Sequence, residues 1–169
     1  MAFKQEVYDK FMADANDAGD LNYCTVLTLC ALTNWSYRKC IKHMGRWASR
    51  RYRKGCGSYL RAYEYAFGES NVVNITSKIT ERWGIKTVKA FEDNFENVKK
   101  GKYIIITSTH ACAWVDGSVR DWAIDRQLRI REVYKVTGSP RTGTTKGVKM
   151  KHSWQNVVKP RRLDFTLFR

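Results

Sequence analysis

Long apolar runs are missing from this sequence. The longest wholly apolar stretches, such as YIII at residues 103–106, are far too short to cross a bilayer. The first residues, MAFKQEVYDKF, lack the basic flank and the apolar core of a secretory signal. We therefore expect a chain that does not enter a membrane and works in the cytoplasm.

Proline is also scarce, with two residues, and the five cysteines are an odd number without close spacing. This cysteine pattern argues against a disulfide framework and favours free thiols in a reducing compartment. Internal repeats and low-complexity tracts are absent, so 169 residues with 43% hydrophobic content predict one globular domain. We expect the folded domain over residues 1–136 and a basic, loop-rich tail over 137–169 that packs on it.

Acidic residues are missing from a long central stretch, because none lies between Asp20 and Glu64. The whole chain has a formal net charge of +15 at pH 7. Such a field favours a nucleic acid or an acidic protein as partner and says nothing about the fold. We expect the binding in segments 38–54 and 141–162. The candidate residues of the first segment are Arg38, Lys39, Lys42, Arg46, Arg50, Arg51, Arg53 and Lys54.

Helical patterns come first along the chain and strand patterns second. Apolar spacing predicts helices in 5–16, in the nearly apolar run from Tyr23, in 36–55 from a Ser36 cap, and in 59–68. A buried strand stays the alternative for the run from Tyr23. β-branched and aromatic runs after Gly101 predict three strands, and GIKTVKAF a further short one. This order predicts an α+β fold with an antiparallel sheet.

Asp116 and Gly117 form the strongest two-residue hairpin signal in the chain. If these two residues make the turn, Asp121 lies opposite Cys112 in the strand pairing. Because side chains alternate between the two faces, Asp121 becomes a diagonal neighbour of His110 on the same face. The register therefore predicts that a carboxylate orients this imidazole.

An imidazole held by an acid has a second nitrogen for a metal, a substrate proton or a nucleophile. A cap at Asp20 or Asn22 places Cys24 in the first turn of the buried helix, where the helix dipole favours a thiolate. Cys24, His110 and Asp121 then form a Cys-His-Asp triad of nucleophile, proton carrier and orienting acid. Asp125 is the alternative acid, and a buried apolar thiol is the alternative for the cysteine.

Cys40, His43 and Cys56 come nearest to a zinc pattern. A structural zinc site needs a second close pair, which the sequence lacks, and the helical stripe places Cys40 in the interior. KGCGSY lacks the spacing of a phosphate loop. We therefore predict no metal and no cofactor, with His43 and His152 at the surface.

Two segments that carry this triad resemble those of small papain-like thiol peptidases found in phage and bacterial genomes. DLNYCTVLTLCALTNWSYRKCIKHM is similar to the segment around their cysteine, with Cys24, Thr33 and Tyr37 in matching positions. GKYIIITSTHACAWVDGSVRDW is similar to the segment with their His-Ala and Asp-Gly motifs, and the resemblance spans residues 20–136.

The resemblance implies a papain-like α+β fold, with the cysteine at a helix start and an antiparallel sheet after it. It also implies a peptidase or amidase that acts through Cys24, His110 and Asp121 on a protein or peptide substrate. For a phage-encoded chain, the site of action would be the host cytoplasm.

The chain departs from the family pattern before the cysteine and in the tail. Tyr23 stands where the family has an acid, and Leu27 and Thr28 replace an Arg-Ala pair. Papain relatives complete the oxyanion hole with an upstream Gln or Asn side chain, and the residue six positions upstream, Ala18, has no donor. Asn22 is our oxyanion candidate, with Asn16 as the alternative donor. The departures motivate a second hypothesis, an inactive basic protein that binds nucleic acid or an acidic host protein.

Overall fold

The computed structural model describes residues 5–50, 59–94, 100–121 and 126–141. The α-helices are α1 (Gln5–Asp17), α2 (Cys24–Thr33), α3 (Tyr37–Trp47), α4 (Tyr59–Phe67) and α5 (Val88–Asp93). The strands are β1 (Val72–Asn74), β2 (Lys102–Thr107), β3 (Ala111–Val115), β4 (Ser118–Val119) and β5 (Ile130–Val136). Shorter turns are a 3-10 turn (Glu69–Asn71) and a π-helical turn (Lys78–Arg82). No helix among these is long and apolar enough to span a membrane.

The described strands form one antiparallel sheet in the order β1-β5-β2-β3-β4. Most of the helical residues precede it along the chain, which confirms the predicted α+β class. The predicted strand in GIKTVKAF is wrong, because its second half forms α5 and only Thr87 makes an isolated bridge, to Arg129. Thr87 instead caps α5, since its side chain accepts the N–H of Ala90.

Apolar side chains cover both faces of this sheet. On β2, Ile104 and Ile106 pack towards α1 to α4, whereas Ile105 packs towards α5 and the π-helical turn. The two-residue alternation of a strand explains how one apolar run supplies both cores. Because β3 is buried along its whole length, the hairpin that carries the histidine rests on a rigid support.

α2 is the central helix, and the apolar run from Tyr23 is thus helical rather than extended. Each residue from Thr25 to Thr33 is buried, with contacts to α1, α3 and β3. A helix that is apolar all round belongs in an interior. Lys102 of β2 donates a 2.8 Å hydrogen bond to the carbonyl of Leu32, so a cation closes the C-terminal end.

The predicted side-chain cap of α2 is wrong. Tyr23, and not Asn22 or Asp20, occupies the N-cap position, and its side chain makes no capping hydrogen bond. The carboxylate of Asp20 points inward and forms a buried ion pair with Arg50. The Ser36 cap of α3 is confirmed, since its side chain accepts an N–H from the first turn.

The first residues of the predicted tail pack on the domain. The N–H of Thr137 donates to the carbonyl of Asn71 at 2.9 Å, and that of Arg141 donates to Ala66 at 2.8 Å. These bonds fasten residues 137–141 to α4 and the turn after it. The remainder of the predicted tail, 142–169, lies outside the described residues.

Candidate active site

Cys24 is the first residue of α2, as the sequence predicts. Among the free cysteines in the described residues, Cys24 is partly exposed, whereas Cys30, Cys40 and Cys112 are buried. The first helical turn holds no acid, and the N–H groups at a helix start have no partner within the helix. An accessible thiol therefore lies at the positive end of a helix dipole.

The hairpin register places His110 immediately before β3. Trp114 pairs with Val119 around the turn at Asp116 and Gly117, as predicted, and both turn residues have positive φ. A two-residue turn of this kind requires such φ values, which glycine adopts freely and aspartate tolerates.

Thr107 holds the backbone of His110 in place. Its N–H donates to the carbonyl of His110 at 2.8 Å, and its hydroxyl accepts the N–H of His110 at 3.0 Å. Two bonds across a tight connection leave the histidine little freedom of position. The sequence analysis did not single out this threonine.

The carboxylate of Asp121 accepts a hydrogen bond from Nε2 of His110, and the two groups form an ion pair. The exposed fraction is 8% for the histidine side chain and 2% for the aspartate side chain. The N–H of Arg120 donates to Ala113 at 2.7 Å, which continues the strand pairing one residue beyond β4. The predicted diagonal contact is thus present, and the alternative acid, Asp125, lies outside the described residues.

The thiol of Cys24 and the imidazole of His110 lie together at one cleft and interact closely enough to shift the pKa of both groups. Since Nε2 contacts Asp121, the nitrogen left for the sulfur is Nδ1. One imidazole ring therefore connects the thiol to the carboxylate, and the structure brings together all three residues that the sequence proposed as a triad.

These contacts shift the thiol and the imidazole towards an ion pair. Burial would raise the pKa of the Cys24 thiol, but the hydrogen bonds from His110 and from the N–H groups of Ala111 and Thr25 lower it below its ordinary value. Burial would lower the pKa of His110, but hydrogen bonds to Asp121 and Cys24 and their negative charges raise it to about 9. Both directions favour thiolate and imidazolium, the reactive form of such a pair.

Tyr8 of α1 is a fourth member that the sequence analysis missed. Its side chain is buried, and its hydroxyl lies close enough to Asp121 for the carboxylate to shift its pKa. Burial, together with the charge and hydrogen bond of Asp121, raises the pKa of Tyr8 well above the usual range, so the phenol keeps its proton and donates. No local pattern could have found this contact, because Tyr8 and Asp121 are far apart in sequence and a tyrosine on an amphipathic helix is typical of a core position.

Arg50 is placed differently from our expectation of an exposed binding residue. Its guanidinium is fully buried, 2.7 Å from the carboxylate of Asp20, and it donates to the carbonyl of Leu21 at 3.1 Å. The hydroxyl of Tyr37 donates to the same carboxylate oxygen. The ion pair with Asp20 draws the arginine inward, and these contacts tie the loop before Cys24 to α3.

A cleft of about 320 Å³ opens over the thiol and the imidazole. Its lining is Asn22, Cys24, Thr25, Tyr59, Ile106, Thr107, Ser108, Thr109, His110 and Ala111. Asn22 is exposed at this cleft with a φ of 57°, a left-handed conformation that asparagine tolerates. It therefore stays our oxyanion candidate. Apart from Cys24 and His110, the lining is polar or apolar but uncharged.

The remaining predicted residues lie away from the cleft or outside the described chain. Arg38, Lys39, Lys42 and Arg46 are exposed on α3, whereas Arg51, Arg53, Lys54, Cys56 and His152 are not described. The prediction of a surface position for His43 is wrong, because this ring is half-buried and its Nε2 donates to the carbonyl of Ala62 at 2.7 Å. In the described part of the chain, no three metal-ligating side chains lie close enough to hold an ion.

Comparison with known proteins identifies no relative of this chain: no family model, no curated protein and no solved structure matches it. What the site can do must therefore be argued from its own geometry.

Proposed function

We propose that this protein is a papain-like thiol hydrolase that cleaves peptide or other amide bonds. The observation that carries the proposal is the double contact of His110, with the thiol of Cys24 on one side and the carboxylate of Asp121 on the other. Cys112 shows the contrast. Burial and nearby negative charges raise the pKa of its thiol, so this cysteine stays protonated and unreactive.

In the first half of the reaction, the thiolate of Cys24 attacks the carbonyl carbon and the carbonyl electrons move to oxygen. N–H groups at the start of α2 are the proposed donors to this oxyanion, with the side-chain amide of Asn22 as a second donor. The carbon–nitrogen bond then breaks while His110 gives its proton to the departing amine. The product of this half is a thioester on Cys24.

In the second half, His110 takes a proton from water, and the resulting hydroxide attacks the thioester. The carbon–sulfur bond breaks, the acid product leaves, and the thiolate returns with the imidazolium beside it. Asp121 keeps the imidazole in one orientation through both halves and stabilises its charge. Tyr8 restrains Asp121 in turn, as a positioning residue.

The cleft supports a polypeptide or amide as substrate. Its lining is uncharged apart from Cys24 and His110, and its threonine and serine hydroxyls suit the carbonyl and N–H groups of an extended chain. The order of cysteine helix and histidine hairpin, together with the sequence resemblance at both, supports the papain-like assignment over other thiol hydrolases.

The test uses the full chain with Cys56→Ala, which removes a thiol outside the described residues. The protein is incubated with carboxymethylated, unfolded casein, and new peptide termini are counted by mass spectrometry. We expect cleavage that Cys24→Ala abolishes. The matched control is Cys30→Ala, which removes a buried thiol of the same helix and should retain cleavage. No cleavage and no acyl adduct on Cys24, or cleavage that survives Cys24→Ala, would overturn the proposal.

A further inference from the structure

A row of positive charge runs along the exposed side of α3. Arg38, Lys42 and Arg46 are all exposed and lie four residues apart, so their side chains share one face over about 12 Å of helix. In the described part of the chain, no carboxylate forms an ion pair with any of the three. The row belongs to α3 and lies apart from the cleft lining.

This row weakens the helix that carries it. Like charges at a four-residue spacing destabilise a helix by about 0.2–0.5 kcal/mol for each pair. Asp20 is not available to balance the row, because its carboxylate is buried in the ion pair with Arg50. A helix that keeps such an unfavourable pattern is best explained by a partner of opposite charge.

Aromatic rings lie beside the row and join α3 to α4. Trp47 stacks on Tyr65 with ring centroids 3.7 Å apart, and His43 contacts both Trp47 and Trp35 at 6.5 and 5.4 Å. Trp35 is half-buried, and Tyr65 is 37% exposed. The two ends of this chain of rings are therefore open to solvent.

Cations lie over the two open rings. The Nζ of Lys39 is 3.8 Å from the centroid of Trp35, and the guanidinium of Arg61 is 5.7 Å from that of Tyr65. Such contacts are worth about 0.5–1 kcal/mol at exposed sites, so a phosphate can draw either cation away. A ring uncovered in this way presents a flat face to a base.

We propose that this α3–α4 surface, made of Arg38, Lys39, Lys42, Arg46, Arg61, Trp35 and Tyr65, binds single-stranded nucleic acid. The row contacts the phosphates, while Trp35 and Tyr65 stack on unpaired bases, a combination typical of single-strand binding without sequence preference. A single strand carries phosphates and unpaired bases at a regular spacing along one chain, whereas a duplex keeps its bases paired. The proposal is independent of the hydrolase, because none of these residues lines the cleft.

The test measures the affinity of the full chain for a fluorescent oligothymidylate by anisotropy at several salt concentrations. The test variant is Arg38→Gln, Lys42→Gln, Arg46→Gln. The matched control, Arg82→Gln, Lys86→Gln, Arg131→Gln, removes the same charge from exposed positions outside α3 and α4. Each phosphate contact contributes about 0.7 to the slope of log affinity against log salt, so the test variant should lose about 2 and the control much less. That loss corresponds to a ~20-fold smaller fall in affinity between about 50 and about 200 mM salt.

A second variant, Trp35→Leu, separates stacking from charge. Base stacking on a ring is worth about 1–3 kcal/mol, so we expect the affinity for the oligonucleotide to fall by roughly tenfold or more, with an unchanged salt slope. Three results would overturn the proposal: equal losses in test and control variants, tighter binding of a duplex than of the single strand, or displacement of the oligonucleotide by polyglutamate at equal charge.

Discussion

Two buried carboxylates in this protein have the same surroundings in outline but differ in what they can do. Asp20 accepts a hydrogen bond from Tyr37 and pairs with Arg50, and Asp121 accepts one from Tyr8 and pairs with His110. Each carboxylate is thus held by a tyrosine and a basic side chain.

The difference lies in the basic partner and in what that partner touches. Arginine keeps its proton at any ordinary pH, and Arg50 is sealed in the interior. His110 can release its proton, lies at a cleft and contacts a thiol. A buried ion pair therefore supports chemistry only when its cation titrates and reaches a nucleophile, and otherwise supports structure.

Breaking the structural pair of Asp20 and Arg50 should lower the free energy of unfolding more than any other change. Arg50→Met leaves the carboxylate of Asp20 buried without a counter-charge, and we expect the free energy of unfolding to fall by about 3–5 kcal/mol in urea titrations. The control is Lys89→Met, which breaks an exposed pair with Asp93 and should cost about 0.5 kcal/mol or less. Equal losses in the two variants would show that the Asp20–Arg50 pair is not buried in solution.

Breaking the candidate catalytic pair of His110 and Asp121 should mainly lower the reactivity of the Cys24 thiol. Asp121→Asn keeps the shape of the side chain but removes the charge that favours the imidazolium, so the pKa of His110 falls and the thiolate loses its counter-ion. We expect alkylation of Cys24 by iodoacetamide at pH 6 to slow about 10²-fold, with folding retained. Asp20→Asn is the matched substitution at the other carboxylate, and in its folded fraction the rate should stay near that of the wild type. The account fails if Asp20→Asn slows alkylation as much as Asp121→Asn does.

The two groups of the site should affect stability at different pH values. The pKa of His110 rises from 6.5 to about 9 on folding, so its contribution is fully present below pH 6.5 and is lost as pH rises through 9. The pKa of Cys24 falls on folding, so its contribution is present above the ordinary thiol pKa and is lost as pH falls. In the wild type the two trends oppose each other above pH 6.5.

Without the Cys24 thiol, the pH dependence of stability should therefore show the contribution of His110 alone. In Cys24→Ala, Asp121 still holds the pKa of His110 above 6.5, and we expect the unfolding free energy to decline by on the order of 1 kcal/mol as pH rises above that value. The wild type should show a flatter profile. Urea titrations across this range check the difference, and identical profiles would contradict a coupled thiol and imidazole.

The smallest effect should come from the tyrosine beside the catalytic carboxylate. Tyr8→Phe removes one hydrogen-bond donor to Asp121, which should lower the unfolding free energy by about 1 kcal/mol and change the alkylation rate less than tenfold. Tyr23→Phe is the control, because its hydroxyl bonds to Asn16 at the surface. A larger loss from Tyr23→Phe than from Tyr8→Phe would remove Tyr8 from the site.

The parts of the site that the sequence predicted depend on local rules. The turn at Asp116 and Gly117 sets the register by itself, and the alternation of side chains then brings Asp121 to His110. The apolar run from Tyr23 predicts a buried helix, and its first residue is the cysteine. These inferences need only neighbours along the chain.

The features of the fold and of the site that the sequence did not predict depend on residues far apart in the chain. Arg50 occurs within a basic stretch and looks exposed until the fold brings Asp20 beside it, 30 residues away in sequence. The second half of GIKTVKAF has strand-like residues but forms part of α5, where Val88 and Phe91 are buried in the core on the second face of the sheet. Tertiary burial outweighs local preference in both cases.

The most direct test of the central claim is the pH profile of Cys24 alkylation, measured in Cys56→Ala and in the same chain with His110→Gln. The account predicts a thiol that already reacts at pH values below its ordinary pKa, and a profile that moves to higher pH when the imidazole is removed. A profile at the ordinary thiol pKa in both proteins would show that His110 does not activate Cys24, and the proposed hydrolase mechanism would be wrong.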